Sequence, residues 1–123
     1  MSNSRSYDTV AFDVRGNTTM LFFAKTSKKG DIDEYLLFMR AESEEFNDPI
    51  YIEMNDDQFA GYNLIQEARL TGNVLTLELH EPAAELDGAS KIVLTYDETP
   101  ENQANIEAGV ISVLFNTLVG GNV

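Results

Sequence analysis

The 123-residue sequence contains no cysteine and no tryptophan, a single histidine, and only eight basic residues. Without cysteine there is no structural disulfide, thiolate metal site or cysteine nucleophile, a usage that fits a reducing cytoplasm. With His80 alone, histidine-pair acid–base schemes and multi-histidine metal sites are excluded. It shares a strand side with Val74, Thr76 and Glu78 and reads as a surface or rim residue. Neither dinucleotide-type nor P-loop glycine spacing occurs; the one adjacent pair, Gly120 and Gly121, follows a helical stretch instead of opening one. No apolar run approaches the ~18 residues of a membrane span, and the polar residues 1–5 lack a secretory signal's apolar core. These absences predict a soluble, non-exported, cytoplasmic chain with no cofactor, no metal and no membrane partner. Too few basic residues accompany the aromatics for a nucleic-acid stacking platform.

What is abundant is acid. The net charge is −13, and it is unevenly placed. Residues 1–40 hold six basic and five acidic side chains, whereas residues 41–123 hold two basic side chains, Arg69 and Lys91, and sixteen acidic ones. Such a field repels nucleic acid and speeds association with a basic partner, by ~10-fold to 1,000-fold at low salt. Its bland alternative is solubility alone. Carboxylate pairs arise by chance at this density, so none identifies a catalytic acid, and the chain is not read as an enzyme. A hydrophobic fraction of 43% is globular, and the length suits one domain over residues 1–123.

Period-two alternation predicts strands at 7–14, 20–25, 34–41, 50–54, 63–70, 74–80 and 91–96. The run at 20–25 is apolar enough to suit cover on both faces. In residues 34–41 Tyr35, Leu37 and Met39 oppose Leu36, Phe38 and Arg40; bulk on both faces predicts a central strand. Gly16-Asn17 and Gly72-Asn73 mark turns, and the loop at 26–30 with Lys28 and Lys29 is basic and solvated. Asp31, Asp33 and Glu34 imitate the start of a calcium loop but lack its remaining ligands and glycine, leaving a solvated strand start. Residues 81–87 can form one helical turn with Pro82 at its first position. Thr99 is a candidate N-cap, followed by Pro100 and a helix to about residue 118. Its apolar stripe starts at Ile106, and Gly109 within it implies close packing or a weak point.

Residues 55–62 admit two compatible readings. Asn55 can cap a helical turn, with Asp56 and Asp57 at its positive end and Gln58 completing a capping-box variant. The same carboxylates and Gln58, beside Phe59 and Tyr62, make a polar and aromatic knob suited to binding. The predicted class is α+β: about seven mostly antiparallel strands in a curved sheet or partly open barrel, with a C-terminal helix packed on one face.

Tyr35-Leu36 opening a central strand, Arg40 near its end, then Tyr51, Glu53, Asp57, Gln58, Gly61, Tyr62 and Ile65, followed by a leucine-rich strand, resemble the immunity protein 10 family of bacterial polymorphic-toxin systems. The resemblance spans about residues 33–96. It implies a bacterial protein that binds a cognate protein toxin stoichiometrically and blocks it by occlusion, without catalysis. An acidic, cysteine-free domain suits a basic toxin such as a nuclease. On that reading Glu53, Asp56, Asp57, Gln58 and Tyr62 are the primary toxin-binding candidates, with Glu44, Glu45, Phe46 and Glu78 secondary. Glu53 has a structural alternative, pairing with Arg40 or Arg69 across the sheet. The rival functions are an acidic nucleic-acid mimic acting on another basic protein and a homo-oligomeric structural protein using exposed strand edges.

Overall fold

The computed structural model describes residues 2–41, 50–55 and 59–114, with side chains at 3–41, 50–55 and 59–109. Among them are nine strands: β1 (Ser2–Tyr7), β2 (Thr9–Arg15), β3 (Thr18–Thr26), β4 (Ile32–Ala41), β5 (Tyr51–Met54), β6 (Phe59–Tyr62), β7 (Ile65–Thr71), β8 (Val74–Ala83) and β9 (Ala89–Tyr96). One α-helix follows, α1 (Pro100–Leu114). The strands form a four-stranded sheet, ordered β1-β9-β8-β7, and a five-stranded sheet, ordered β2-β3-β4-β5-β6. β1 runs parallel to β9; the other ladders are antiparallel.

The α+β class therefore holds, while the expected seven strands in one curved sheet or partly open barrel do not. Among the described residues nine strands form two sheets, and no closed barrel results. The physical reason lies in two corners. Asp8 alone separates β1 from β2, so the stretch read as one strand over 7–14 breaks there and changes sheet. The Asp8 N–H donates to the Ala24 carbonyl at 3.0 Å, and its carboxylate accepts from the Thr26 N–H at 2.8 Å and the Thr26 hydroxyl at 3.0 Å. These bonds fasten the corner to β3 and draw the carboxyl below its ordinary pKa, the Thr9 hydroxyl contributing most. Asn63 and Leu64 form the second corner, between β6 and β7. Asn63 has φ 57°, a left-handed backbone that asparagine tolerates, and its N–H donates to the Ile50 carbonyl at 3.1 Å.

Between the sheets lies one hydrophobic cluster. Leu21, Phe23, Leu36, Phe38, Ile52 and Met54 of the five-stranded sheet are fully buried, as are Leu75, Leu77, Ile92 and Leu94 of the other. Phe23 sits at the junction, with ring centroids 6.0 Å from Tyr7, 6.1 Å from Phe38 and 6.3 Å from Tyr96. Offset and edge-on contacts of this kind add ~0.5–1.5 kcal/mol per pair beyond the area they bury. As expected, β4 is the central strand of its sheet, and Leu75, Leu77 and Leu79 form the buried side of β8.

The helix packs on β2, β3 and β4. Thr99 caps it as predicted, accepting from the Asn102 N–H at 3.1 Å. Its buried line is Asn102, Ile106 and Gly109, so the predicted stripe is correct at Ile106 but gains a polar member and a glycine. Gly109 is there for contact: a Cβ at this position would stand 2.4 Å from Leu21 Cδ1. Asn102 accepts from the Val10 N–H at 2.9 Å and donates to the Asp8 and Asp97 carbonyls, both at 2.9 Å. One turn later Asn105 donates to the Val10 carbonyl at 2.9 Å. Helix side chains thus occupy the open hydrogen-bonding edge of β2. The helix's predicted continuation to about residue 118 lies partly outside the described residues.

One turn reading needs correction, and another falls partly outside the described residues. Residues 81–83 continue β8, and the short helical turn is a 3-10 turn at Ala84–Leu86, ended by left-handed Asp87 and Gly88. The ladder to β9 is irregular between Glu78 and Ala83, which accommodates Pro82, a residue with no N–H to donate. Asn55, whose expected helical turn at 56–58 lies outside the described residues, departs from the geometry of a cap. Its φ of 48° is left-handed where a cap is extended, its side chain accepts from the Tyr35 N–H at 2.9 Å, and Phe59–Tyr62 is a strand. Both Gly-Asn turns hold: Gly16 (φ 60°) and Gly72 (φ 59°) each begin a two-residue connection, closing Arg15 on Thr18 and Thr71 on Val74.

Candidate functional site

Because side chains alternate along a strand, the residues between the core positions of the five-stranded sheet share its outer face. The register places Met20 opposite Met39 and Phe22 opposite Leu37, then Leu37 opposite Glu53, and finally Tyr51 opposite Tyr62. Phe22, Leu37, Met20 and Met39 are half-buried, and Tyr62 is 62% exposed. Among the described residues no element packs over this face.

Its aromatic members are connected. The rings of Phe22 and Tyr35 lie 5.7 Å apart and those of Tyr51 and Tyr62 5.1 Å apart. Between the two pairs stands Glu53. The Tyr35 hydroxyl donates to one oxygen of its carboxylate at 2.5 Å and the Tyr51 hydroxyl to the other at 2.7 Å. These two donors, Tyr35 first, hold the Glu53 carboxyl below its ordinary pKa of 4.5 against a smaller opposing effect of desolvation. The result is an apolar surface crossing four strands, with one fixed and ionised carboxylate near its middle.

Outward-facing residues of the four-stranded sheet are different in kind. Glu67, Arg69, Thr76, Glu78 and Lys91 line a polar cleft of ≈ 230 Å³ there, and Lys91 pairs with Glu78 at 3.7 Å. One sheet therefore presents an ordinary solvated face and the other an apolar, aromatic one.

Of the sequence-derived candidates, Glu53 and Tyr62 meet on the aromatic face. Glu78 lies on the other sheet, facing away from them. Asp56, Asp57 and Gln58, like Glu44, Glu45 and Phe46, lie outside the described residues. The suggested pairing of Glu53 with Arg40 or Arg69 does not form. Arg40 is buried on the inner face of β4, Arg69 belongs to the other sheet, and Glu53 is engaged by the two tyrosines.

Sequence reasoning left Tyr35 and Tyr51 off the binding candidates, along with Phe22, Leu37 and the two methionines. The signal lies in the apolar run at 20–25, which suggests cover on both faces, and in the bulk on both faces of 34–41, which predicts a central strand. Other candidates carry less. His80 is exposed on the rim of a cleft of ≈ 440 Å³ with Leu64 and Pro82. Asp31 and Asp33 are exposed, and Glu34 pairs with Arg5 at 3.0 Å and Lys25 at 3.9 Å. Among the described residues no group of three or more potential ligands is placed to hold a metal, and no helix is long and apolar enough to cross a membrane.

Gly61, one of the residues on which the resemblance rests, has a steric reason: a Cβ there would stand 2.9 Å from Leu64 Cδ1, which folds over it at the second corner. Tyr35, Tyr51, Glu53 and Tyr62, four further members of that set, are the ones assembled on the outer face. No curated protein matches the chain. The model of the family described as immunity protein 10 matches residues 7–104, from the first corner through both sheets into the helix, and the chain belongs to that family.

Proposed function

We propose that this chain is a cytoplasmic immunity protein that neutralises a cognate toxin by stoichiometric binding and occlusion, without catalysis. The outer face of the five-stranded sheet is the contact surface. The observation that carries the reading is the aromatic and carboxylate network of Tyr35, Glu53, Tyr51 and Tyr62, raised on an immunity-family fold and uncovered by any other described element. Tyrosine anchors amid apolar side chains are the composition of an interface centre, whereas the acidic remainder of the chain favours approach of a basic toxin, a nuclease being one such class.

The test is capture from native lysate by the tagged chain at low salt and again at high salt, with retained proteins identified by mass. One stoichiometric partner that survives high salt and is weakened by Tyr62→Ala is the expected result. Truncating an exposed interface tyrosine of this kind costs ~2 kcal/mol or more of binding, about 30-fold in affinity. Many basic proteins that wash off with salt would instead identify a nucleic-acid mimic, and a concentration-dependent mass with no partner a self-assembling structural protein.

A further inference from the structure

The ionic group at the centre of the outer face narrows the chemistry of what it binds. Each oxygen of Glu53 accepts one phenol hydrogen, from Tyr35 and from Tyr51. These bonds orient the carboxylate without cancelling its charge, and a carboxylate offers ~four lone-pair sites, so roughly half remain open. No lysine or arginine on the described part of the face answers that charge. Arg15, at the β2 margin, is engaged by Asp13 at 2.8 Å, and Arg40 is turned into the core.

Beside the carboxylate lies the Tyr51–Tyr62 pair, with Tyr62 62% exposed. A fixed anion adjoining an aromatic plane suits a planar cation, because a guanidinium can pair through its N–H fork while lying over a ring. An ammonium offers the charge but not the plane. Charge complementarity extends to the whole molecule, whose net −13 draws cations toward it.

We propose that this face seats an arginine side chain of the toxin, its guanidinium paired with Glu53 and stacked on the Tyr51–Tyr62 rings. The proposal deepens the immunity reading and rests on it for the partner's identity, while the seat itself is a property of this chain's surface.

The experiment uses the intact chain and acetyl-arginine amide as probe, with acetyl-citrulline amide as its uncharged analogue and acetyl-lysine amide as the ammonium. Binding is followed by NMR on backbone amide and tyrosine ring resonances. Arginine is expected to shift Tyr51, Glu53 and Tyr62 saturably, with citrulline ~10-fold or more weaker and lysine between them. Glu53→Gln removes the charge while keeping an acceptor for one phenol and turning an amide N–H donor toward the hydroxyl oxygen of the other; it is expected to melt close to the wild type while losing the preference for arginine over citrulline. Tyr62→Ala, at an exposed position, should weaken the arginine response several-fold, and Glu67→Gln on the other sheet should leave it unchanged. Arginine shifts scattered over the acidic surface, or undiminished in Glu53→Gln, overturn the seat. A captured toxin indifferent to Glu53→Gln overturns the seat and spares the occlusion reading. A seat that behaves as described in a chain with no stoichiometric toxin partner does the reverse.

Discussion

Asn102 is the side chain whose loss the fold should feel most for its size. It is 5% exposed and serves three backbone groups on three segments: the Val10 N–H of β2, the Asp8 carbonyl of the first corner and the Asp97 carbonyl before the helix. Asn102→Ala leaves the Val10 N–H without its acceptor in a buried place, at a cost of ~1–3 kcal/mol, and removes one donor from each carbonyl, at ~0.5–1 kcal/mol apiece. Against this, alanine regains up to ~0.7 kcal/mol of helix propensity. The expected net loss is about 1–4 kcal/mol. At roughly 4 °C per kcal/mol for a domain of this size, the midpoint should fall by about 4–16 °C. Asn105→Ala, which gives up one bond to the Val10 carbonyl in a half-buried position, should cost only ~0.5–1.5 kcal/mol. Urea unfolding followed by circular dichroism measures both. Amide hydrogen exchange at Val10 supplies a local readout, since its N–H should exchange faster in Asn102→Ala than in Asn105→Ala. Equal losses in the two variants, or undiminished protection of Val10, would refute the idea that Asn102 secures the β2 edge.

Gly109→Ala sets ~1 kcal/mol of improved helix propensity against a Cβ only 2.4 Å from Leu21 Cδ1 in a fully buried site, where overpacking costs ~1–3 kcal/mol. Net destabilisation of about 1 kcal/mol is expected in chemical denaturation. In a Leu21→Ala background the same change should turn neutral or favourable, and a gain in stability from Gly109→Ala alone would show that the helix stands off the sheet. Tyr7 is buried with no hydrogen-bond partner for its hydroxyl among the described residues, and burial pushes its pKa from 10.0 up to about 12. Folding thus favours the protonated phenol, so stability should hold below pH 10 and fall as the pH rises from there toward 12. Tyr7→Phe should raise stability by ~1 kcal/mol at neutral pH and blunt the alkaline fall; a loss on substitution would reveal a partner for the hydroxyl.

Strands with strong alternation were legible because burial leaves its period in the sequence: β5, β8 and β9 follow from Ile52 and Met54, from Leu75, Leu77 and Leu79, and from Ile92, Leu94 and Tyr96. β1 was not, since Ser2–Tyr7 is polar and becomes a strand only because β9 offers it a parallel edge. β6 was missed for a related reason, its four residues being too short to display a period. The helix cap at Thr99 could be read locally. The buried Asn102 could not, because its partners lie 92 and 94 positions away along the chain. At the site, Glu53 and Tyr62 could be picked out one by one, but their union with Tyr35 and Tyr51 depends on the register of β4, β5 and β6. Periodicity marks which side of a strand a residue takes and leaves open whether an apolar side meets the core or a partner.

The pairing of β1 with β9 also bears on how the molecule assembles. Ser6 and Thr95 touch across that ladder at 3.2 Å although 89 residues separate them along the chain. Closing so long a loop is slow and entropically costly compared with zipping the hairpins β2–β3, β3–β4 and β7–β8, whose strands are neighbours in sequence. During synthesis β1 leaves the ribosome well before β9 and must therefore wait for it before it finds its place. Until then Tyr7 lacks its ladder neighbour Tyr96, and a chain arrested before β9 would leave the inner faces of the sheets short of Ile92, Leu94 and Tyr96, exposing apolar surface to the surrounding proteins.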